Sequence, residues 1–127
     1  EKLSHALSKR SAWFLFLLAF IVVYREVFET ITPYARMVKM SDEDAAVLFP
    51  AESPEDLANR LAVEGKLVAI TLGGAGAVVA GGGQLGGADA PSVAVVDTIG
   101  AGDSFMAAML SWTLFTPGSD ESLRGVW

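Results

Sequence analysis

At 127 residues the chain has room for one domain with a real core, but not for two comfortable ones. Its formal net charge is −6, and among its nine basic residues only Lys9 and Arg10 are adjacent, so no basic stripe exists to follow a nucleic-acid backbone. The absence of cysteine excludes disulfides and thiolate metal sites and fits a reducing, cytoplasmic compartment, while the single histidine, His5, cannot build a zinc cluster alone.

Hydrophobic residues make up 52% of the chain and charged residues 19%, a balance that implies extensive burial of the kind an α/β layer structure provides. The sequence begins at Glu1 without a methionine and stops at Trp127 directly after a loop, so it reads as a piece of a longer protein.

In chain order, the first element is "AWFLFLLAFIVVY", residues 12–24, uncharged throughout and preceded by Lys9-Arg10. A bilayer span needs about 20 apolar residues, and no small-residue cleavage site follows the run. The expectation is a buried strand or core helix rather than a membrane segment. Next, "REVFETITPYA" spaces Val27, Phe28, Ile31 and Tyr34 helically, with Pro33 limiting the far end. "VKM", residues 38–40, is short and extended. "SDEDAAVLFP" is a helix with Ser41 as N-cap and Asp44 three residues on, close to a capping box. "SPEDLANRLAVEG" repeats the pattern with Ser53 as cap, Pro54 in the first turn, Leu57 and Leu61 on the core face and Gly65 at the end.

Three strands are expected to follow. Residues 67–72 form the first, the glycines at 73, 74 and 76 turn the chain, and residues 77–80 return as the second. "GGGQLGG" reads as a flexible or tightly turned connection, and residues 93–96 as the third strand. The last element is "AGDSFMAAMLSWTLF", whose Phe105, Met106, Met109, Leu110 and Trp112 have helical spacing and are expected to pack in the core. Capped helices alternating with short Val/Ile-rich runs give an α/β layered fold.

The stretch "VVDTIGAGDSF", residues 95–105, carries the chemistry. A strand that runs into Gly-Ala-Gly and then a helix leaves backbone N–H groups unpaired at the positive end of the helix dipole, which makes an anion site. An acid there, Asp103, would repel a phosphate. It makes sense either as the base that deprotonates the group attacking that phosphate, or simply as an acid stabilising the first helical turn. A Walker-type loop is excluded because Gly65-Lys66 is followed by Leu67, and a dinucleotide fingerprint because Gly74-Ala75-Gly76 meets Val79 where a third glycine belongs. "GDS" also resembles the nucleophile block of the GDSL esterases. That reading would make Ser104 a nucleophile, but it requires a downstream histidine that the sequence does not contain.

"DTIGAGDSF", residues 97–105, is similar to the C-terminal signature of the ribokinase-like, or pfkB, carbohydrate kinases. "TLGGAG", residues 71–76, resembles that family's nucleotide loop, and "VKMSDEDAAVLFP" its segment where N-x-x-E follows a short strand. The resemblance covers residues 25–127. It implies a layered ribokinase-like sheet flanked by helices, present as the C-terminal half of the fold. Residues 1–127 would then be a partial kinase domain with the nucleotide-binding and catalytic portion, lacking the sugar-binding N-terminal half and its lid.

The implied activity is ATP-dependent phosphorylation of a hydroxymethyl group on a small sugar, with a fructose-like ketose favoured. By position, Asp103 matches the catalytic base, and Gly100, Ala101 and Gly102 the anion hole for the γ-phosphate. Thr71, Gly73 and Gly76 match the loop lining the ATP phosphates, and Asp97 a position serving a monovalent cation, K⁺, in many members. Ser41 stands where the motif has asparagine, toward the nucleotide, and Asp44 where it has glutamate, toward Mg²⁺; both remain equally readable as a capping box. The family's D-P-N-x-R segment, which follows the strand matching "FLLAFIVV", is absent. The implied partners are ATP and a small sugar, with a homodimer as the assembly of the full-length protein. The alternative is a remnant that keeps the motifs without catalysis.

Overall fold

The computed structural model of the protein describes residues 2–94 and 99–115. The chain forms two compact units, residues 1–34 and 35–127.

The first unit is a helix, α1 (Lys2–Ile31), followed by a 3₁₀ turn at Thr32–Tyr34. Neither glycine nor proline interrupts α1, and Pro33, which cannot supply the next backbone donor, marks its end. The buried Thr32 hydroxyl donates to the Phe28 carbonyl at 2.6 Å. Two expectations are corrected here. The apolar run at residues 12–24 is helical throughout, including the "FLLAFIVV" stretch that the resemblance matched to a strand. All of its residues but the half-buried Ile21 are also exposed rather than buried, with Trp13 at 72% and Phe20 at 58%. Backbone hydrogen bonding along an unbroken run decides the helix, whereas a run apolar on every side specifies no single face to bury. The aromatic rings pair locally instead, Trp13 edge-on to Phe16 and Phe20 stacked on Tyr24. Among the described residues, no helix is long and apolar enough to cross a membrane.

The second unit is α/β. Its elements are β1 (Met37–Ser41), α2 (Asp42–Leu48), α3 (Pro54–Leu61), β2 (Leu67–Thr71), β3 (Ala77–Gly81), β4 (Gln84–Ala88) and α4 (Ala101–Phe115). The strands form one sheet in the order β1-β2-β3-β4, with β1 and β2 parallel and the remaining pairs antiparallel. Parallel pairing needs a crossover, which α2 and α3 provide.

Both crossover helices are fixed by local chemistry. The Ser41 hydroxyl accepts from the Asp44 N–H at 3.1 Å while the Asp44 carboxylate reaches back to Ser41, a complete capping box. Ser53 accepts from the Asp56 N–H in the same way, with Pro54 in the first turn. On the sheet face toward these helices, Val38, Met40, Val68, Ile70, Val78 and Ala80 are buried at alternate strand positions. They meet Leu48, Leu57, Ala58 and Leu61, and Leu57 is wholly buried. This layer is the core.

The strands expected at residues 67–72 and 77–80 are β2 and β3, each within one residue of its expected ends. "GGGQLGG" is corrected from a connection to a hairpin: Gly82 and Gly83, at φ 58° and 76°, make the two-residue turn into β4. Of the strand expected at residues 93–96, positions 93 and 94 have no regular structure and the rest lies outside the described residues.

Helix α4 forms as expected, but it is not core. None of its residues is buried, and Leu110, Trp112 and Phe115 are 45%, 52% and 78% exposed. Gly102, Phe105, Met106, Met109 and Thr113 form a half-buried stripe at helical spacing. The strand positions on the sheet's second face include Ala69, Ala77, Gly86 and Ala88, which offer a helix little side-chain volume to interlock with.

Candidate phosphate-binding site

The site is built at the C-terminal ends of the two parallel strands, where open α/β sheets receive their ligands. Ser41 ends β1 and Thr71 ends β2, and the two residues are register partners. The Thr71 hydroxyl donates to the Met40 carbonyl at 3.4 Å, tying the strand ends together.

Beyond Thr71 the chain makes a tight loop. The Ala75 N–H donates to the Leu72 carbonyl at 3.0 Å, and the Leu72 N–H to the Gly76 carbonyl at 2.8 Å, so Gly73–Ala75 is one 3₁₀ turn. Gly76 has φ 108°, and a methyl group added there would lie 1.9 Å from the Ala88 carbonyl oxygen. Only glycine fits this contact between the loop and the end of β4.

The second half of the site is the start of α4. Gly100 lies at φ 79°, and its carbonyl accepts the first helical bond from the Ser104 N–H at 2.9 Å. The first-turn N–H groups of Ala101, Gly102 and Asp103 therefore have no partner within the helix. Gly100 carries no side chain to cap them.

These two segments, far apart in sequence, converge. A cavity of about 320 Å³ is lined by Thr71, Gly73 and Gly76 from the loop and by Ala101, Gly102 and Phe105 from the helix. A further cavity of about 370 Å³, lined by Trp112, Leu67, Val79 and Gly86 among others, contains none of the residues expected from the sequence to bind or catalyse.

The other sequence-derived positions fall differently. Asp103 is in the first turn of α4, exposed, and does not line the cavity. Ser41 and Asp44 are engaged with each other, with Ser41 Oγ donating to the Asp44 carboxylate at 2.9 Å, and neither lines the cavity. Asp97 lies outside the described residues. Among the described residues, no group of three acidic or histidine side chains is placed to cage a metal ion.

One residue not identified from the sequence stands beside this site, next to the cavity-lining Gly102 but not itself in the lining. The Lys39 ammonium from β1 reaches the first turn of α4, so that a methyl group added at Gly102 would sit 2.9 Å from Lys39 Nζ. Strand alternation carries the signal. Lys39 is two residues before Ser41, so it shares the face that Ser41 and Thr71 occupy.

The family model for pfkB carbohydrate kinases matches residues 1–124. The chain belongs to this family. An ATP-dependent 6-phosphofructokinase from Thermoanaerobacterium thermosaccharolyticum is 35% identical over 88 residues, 68% of this chain and 27% of that protein. A fructokinase from Vibrio cholerae, solved with fructose, ADP and calcium bound, is 31% identical, with a TM-score of 0.56 over 68% of this chain and 28% of its own. An Escherichia coli protein classed as ribokinase II, solved with ATP and Mg²⁺, matches in fold with a TM-score of 0.63 at 22% identity, over 79% of this chain and 33% of that one. This pfkB-family chain thus spans about a quarter to a third of the length of the proteins it matches.

Proposed function

We propose that this chain is the nucleotide-binding and phosphoryl-transfer part of an ATP-dependent kinase acting on a hydroxymethyl group of a small ketose. One observation carries the reading: the Thr71–Gly76 loop and the start of α4 line a single cavity with glycines on both sides. A polyphosphate fits such a cradle because backbone N–H groups and the helix dipole supply positive potential, and absent side chains let the oxygens approach. Similarity to a 6-phosphofructokinase and to a fructokinase bound to fructose and ADP supports both the nucleotide and the ketose.

In this role the sugar hydroxyl oxygen attacks the γ-phosphorus. The new O–P bond forms as the bond from γ-phosphorus to the β,γ-bridging oxygen breaks, and ADP leaves. The hydroxyl proton passes to the Asp103 carboxylate and on to solvent. Asp103 suits the task because it has no hydrogen-bond or ion-pair partner among the described residues, so its oxygens are available to the acceptor. The N–H groups of Ala101 and Gly102 hold the charge that builds on the transferring group.

The donor chemistry fits Mg²⁺ that arrives with the nucleotide. Such an ion keeps several waters and needs only one or two carboxylates besides the phosphates, and Asp44, in the first turn of α2, is the candidate. When bound, it would neutralise charge on the β- and γ-phosphate oxygens.

The test is Asp103→Asn in the whole protein that carries this segment. Turnover should fall by about 10²–10⁴-fold, the usual contribution of a general base, while ATP affinity and thermal stability stay near wild type. Asparagine is itself a good residue at a helix start, so unchanged turnover would leave Asp103 a structural acid and remove it from the mechanism.

A further inference from the structure

We infer that α1 pairs with the α1 of a second copy of this chain, through a stripe formed by Trp13, Phe16, Phe20, Tyr24, Val27 and Ile31. The inference concerns the first unit alone and does not depend on the kinase reading.

These six residues follow one another along α1 at steps of three or four. At about 100° per residue they all fall within about 80° of the helix surface, and the stripe runs for about 27 Å. Two contacts mark the ridge, Trp13 edge-on to Phe16 and Phe20 stacked on Tyr24. The run at residues 12–24 selects no face by itself, because it is apolar on every side. The turns after it do. Arg25, Glu26 and Glu29 lie on the side of the helix away from the stripe, where Arg25 donates to Glu29 at 3.0 Å. Val27 and Ile31 continue the apolar side past these charges. The helix thus ends with a charged side for water and an unbroken apolar ridge opposite it.

The ridge is larger than an isolated chain normally leaves in water. Its four rings are 40–72% exposed, and at about 150–250 Å² for each ring they alone present about 350–600 Å². That already matches the largest apolar patch of a typical monomer, about 300–600 Å², before the exposed Val27 and Ile31 are added. With them the stripe approaches the roughly 600–800 Å² that each partner contributes to a stable pair.

The distribution of size along the ridge points to a second copy. Bulk is concentrated in the first half, in Trp13, Phe16 and Phe20, and the smaller Val27 and Ile31 form the second half. Val22 stands midway between residues 13 and 31. A copy turned end for end about that level sets Ile31 against Trp13, Val27 beside Phe16, and Tyr24 against Phe20. Large residues then meet small ones at both ends, and rings meet at the centre. Ridges spaced three and four residues apart are the ones by which helices interlock, and a contact between like surfaces closes at two chains. A membrane surface fits less well. Among the described residues no helix is long and apolar enough to cross a bilayer. A helix lying on anionic lipid carries a basic polar side, whereas here two acids accompany one arginine.

The experiment is sedimentation equilibrium of the chain over a dilution series, for wild type, Phe20→Gln and Val22→Gln. Wild type should form a dimer that dissociates on dilution, with a Kd in the micromolar range or tighter. Phe20→Gln should weaken it by about 100-fold or more, because the ring is lost from both partners at the centre of the contact. Val22→Gln removes an exposed apolar residue at the same level on the opposite side and should change the Kd by less than about threefold. Both positions are exposed and glutamine is a good helix former, so helix content by circular dichroism should hold in both variants. In the unsubstituted chain, hydrogen exchange of the amides at 13–31 should slow as concentration rises, while that of β2 and β3 stays constant. A chain monomeric at every concentration, equal weakening by the two variants, or exchange at 13–31 indifferent to concentration would overturn the inference. So would a chain that stays monomeric in solution but pellets with phosphatidylserine-containing vesicles, which would give the stripe to a lipid surface.

Discussion

Replacing Gly76 by alanine tests whether the loop after β2 is as tightly seated as its geometry requires. The added methyl group would lie 1.9 Å from the Ala88 oxygen and 2.9 Å from both the Ala88 carbonyl carbon and the Ala90 nitrogen. All three are backbone atoms, so no side-chain rotation relieves the contact. Moving the oxygen out to 3.0 Å, the closest approach a Cβ makes, requires a displacement of about 1.1 Å at the end of β4. The backbone at φ 108° adds a conformational penalty of about 1–3 kcal/mol for a non-glycine residue. Forced displacement in a packed region costs about 1–3 kcal/mol more. The sum, about 2–6 kcal/mol, is a large part of the roughly 5–15 kcal/mol that stabilises an ordinary domain.

Two neighbours in the same loop serve as controls. Gly74 has no atom within 4 Å of its would-be Cβ and no positive φ, so Gly74→Ala should stay within about 0.5 kcal/mol of wild type. Gly73 has equally open surroundings but φ 56°, so Gly73→Ala should cost about 1–2 kcal/mol from backbone conformation alone. Urea denaturation followed by circular dichroism gives the three midpoints, expected in the order Gly74→Ala, Gly73→Ala, Gly76→Ala from most to least stable. Gly76→Ala unfolding together with Gly74→Ala would refute the close seating of the loop on β4.

Two further substitutions probe the layer beneath the site. Leu57→Ala removes a wholly buried side chain from α3 and should cost about 2–5 kcal/mol in the same assay; a loss below 1 kcal/mol would mean that α3 is not seated on the sheet. Ser41→Ala removes both hydroxyl hydrogen bonds to Asp44 and should cost about 0.5–2 kcal/mol, leaving ATP affinity unchanged because Ser41 does not line the cavity. A marked fall in ATP affinity without loss of stability would instead make Ser41 a nucleotide ligand.

What the sequence revealed and what it hid follow the range of the interactions involved. The caps at Ser41 and Ser53 were legible because each involves a residue and its neighbour three positions on. The starts of β2, β3 and α4 were legible because β-branched runs and glycines punctuate them. The strand Gln84–Ala88 was not, since glycine and alanine carry no strand preference and its order comes from β3 alongside it. Residues 12–24 show the limit from the other side: apolar composition suggested burial, but composition does not name a partner surface. Lys39 was hidden for a similar reason. One lysine in a short apolar strand reads as an ordinary solvent-facing residue until α4 is placed beside it. The convergence of the two glycine segments needed a family signature to be suspected and three dimensions to be described.

The strand order has a consequence for how the site comes into being. The turns that join β2 to β3 and β3 to β4 are short, and such hairpins close quickly with little loss of chain entropy. The pairing of β1 with β2 is parallel and non-local, because α2 and α3 must be in place between Ser41 and Leu67 before the strands can meet. Thr71 and the glycine loop belong to the fast, local part of the sheet, whereas Lys39 arrives with its slow edge. A chain caught midway would thus hold a formed loop without the end of β1 beside it, and only completed folding would bring Ser41 into register with Thr71.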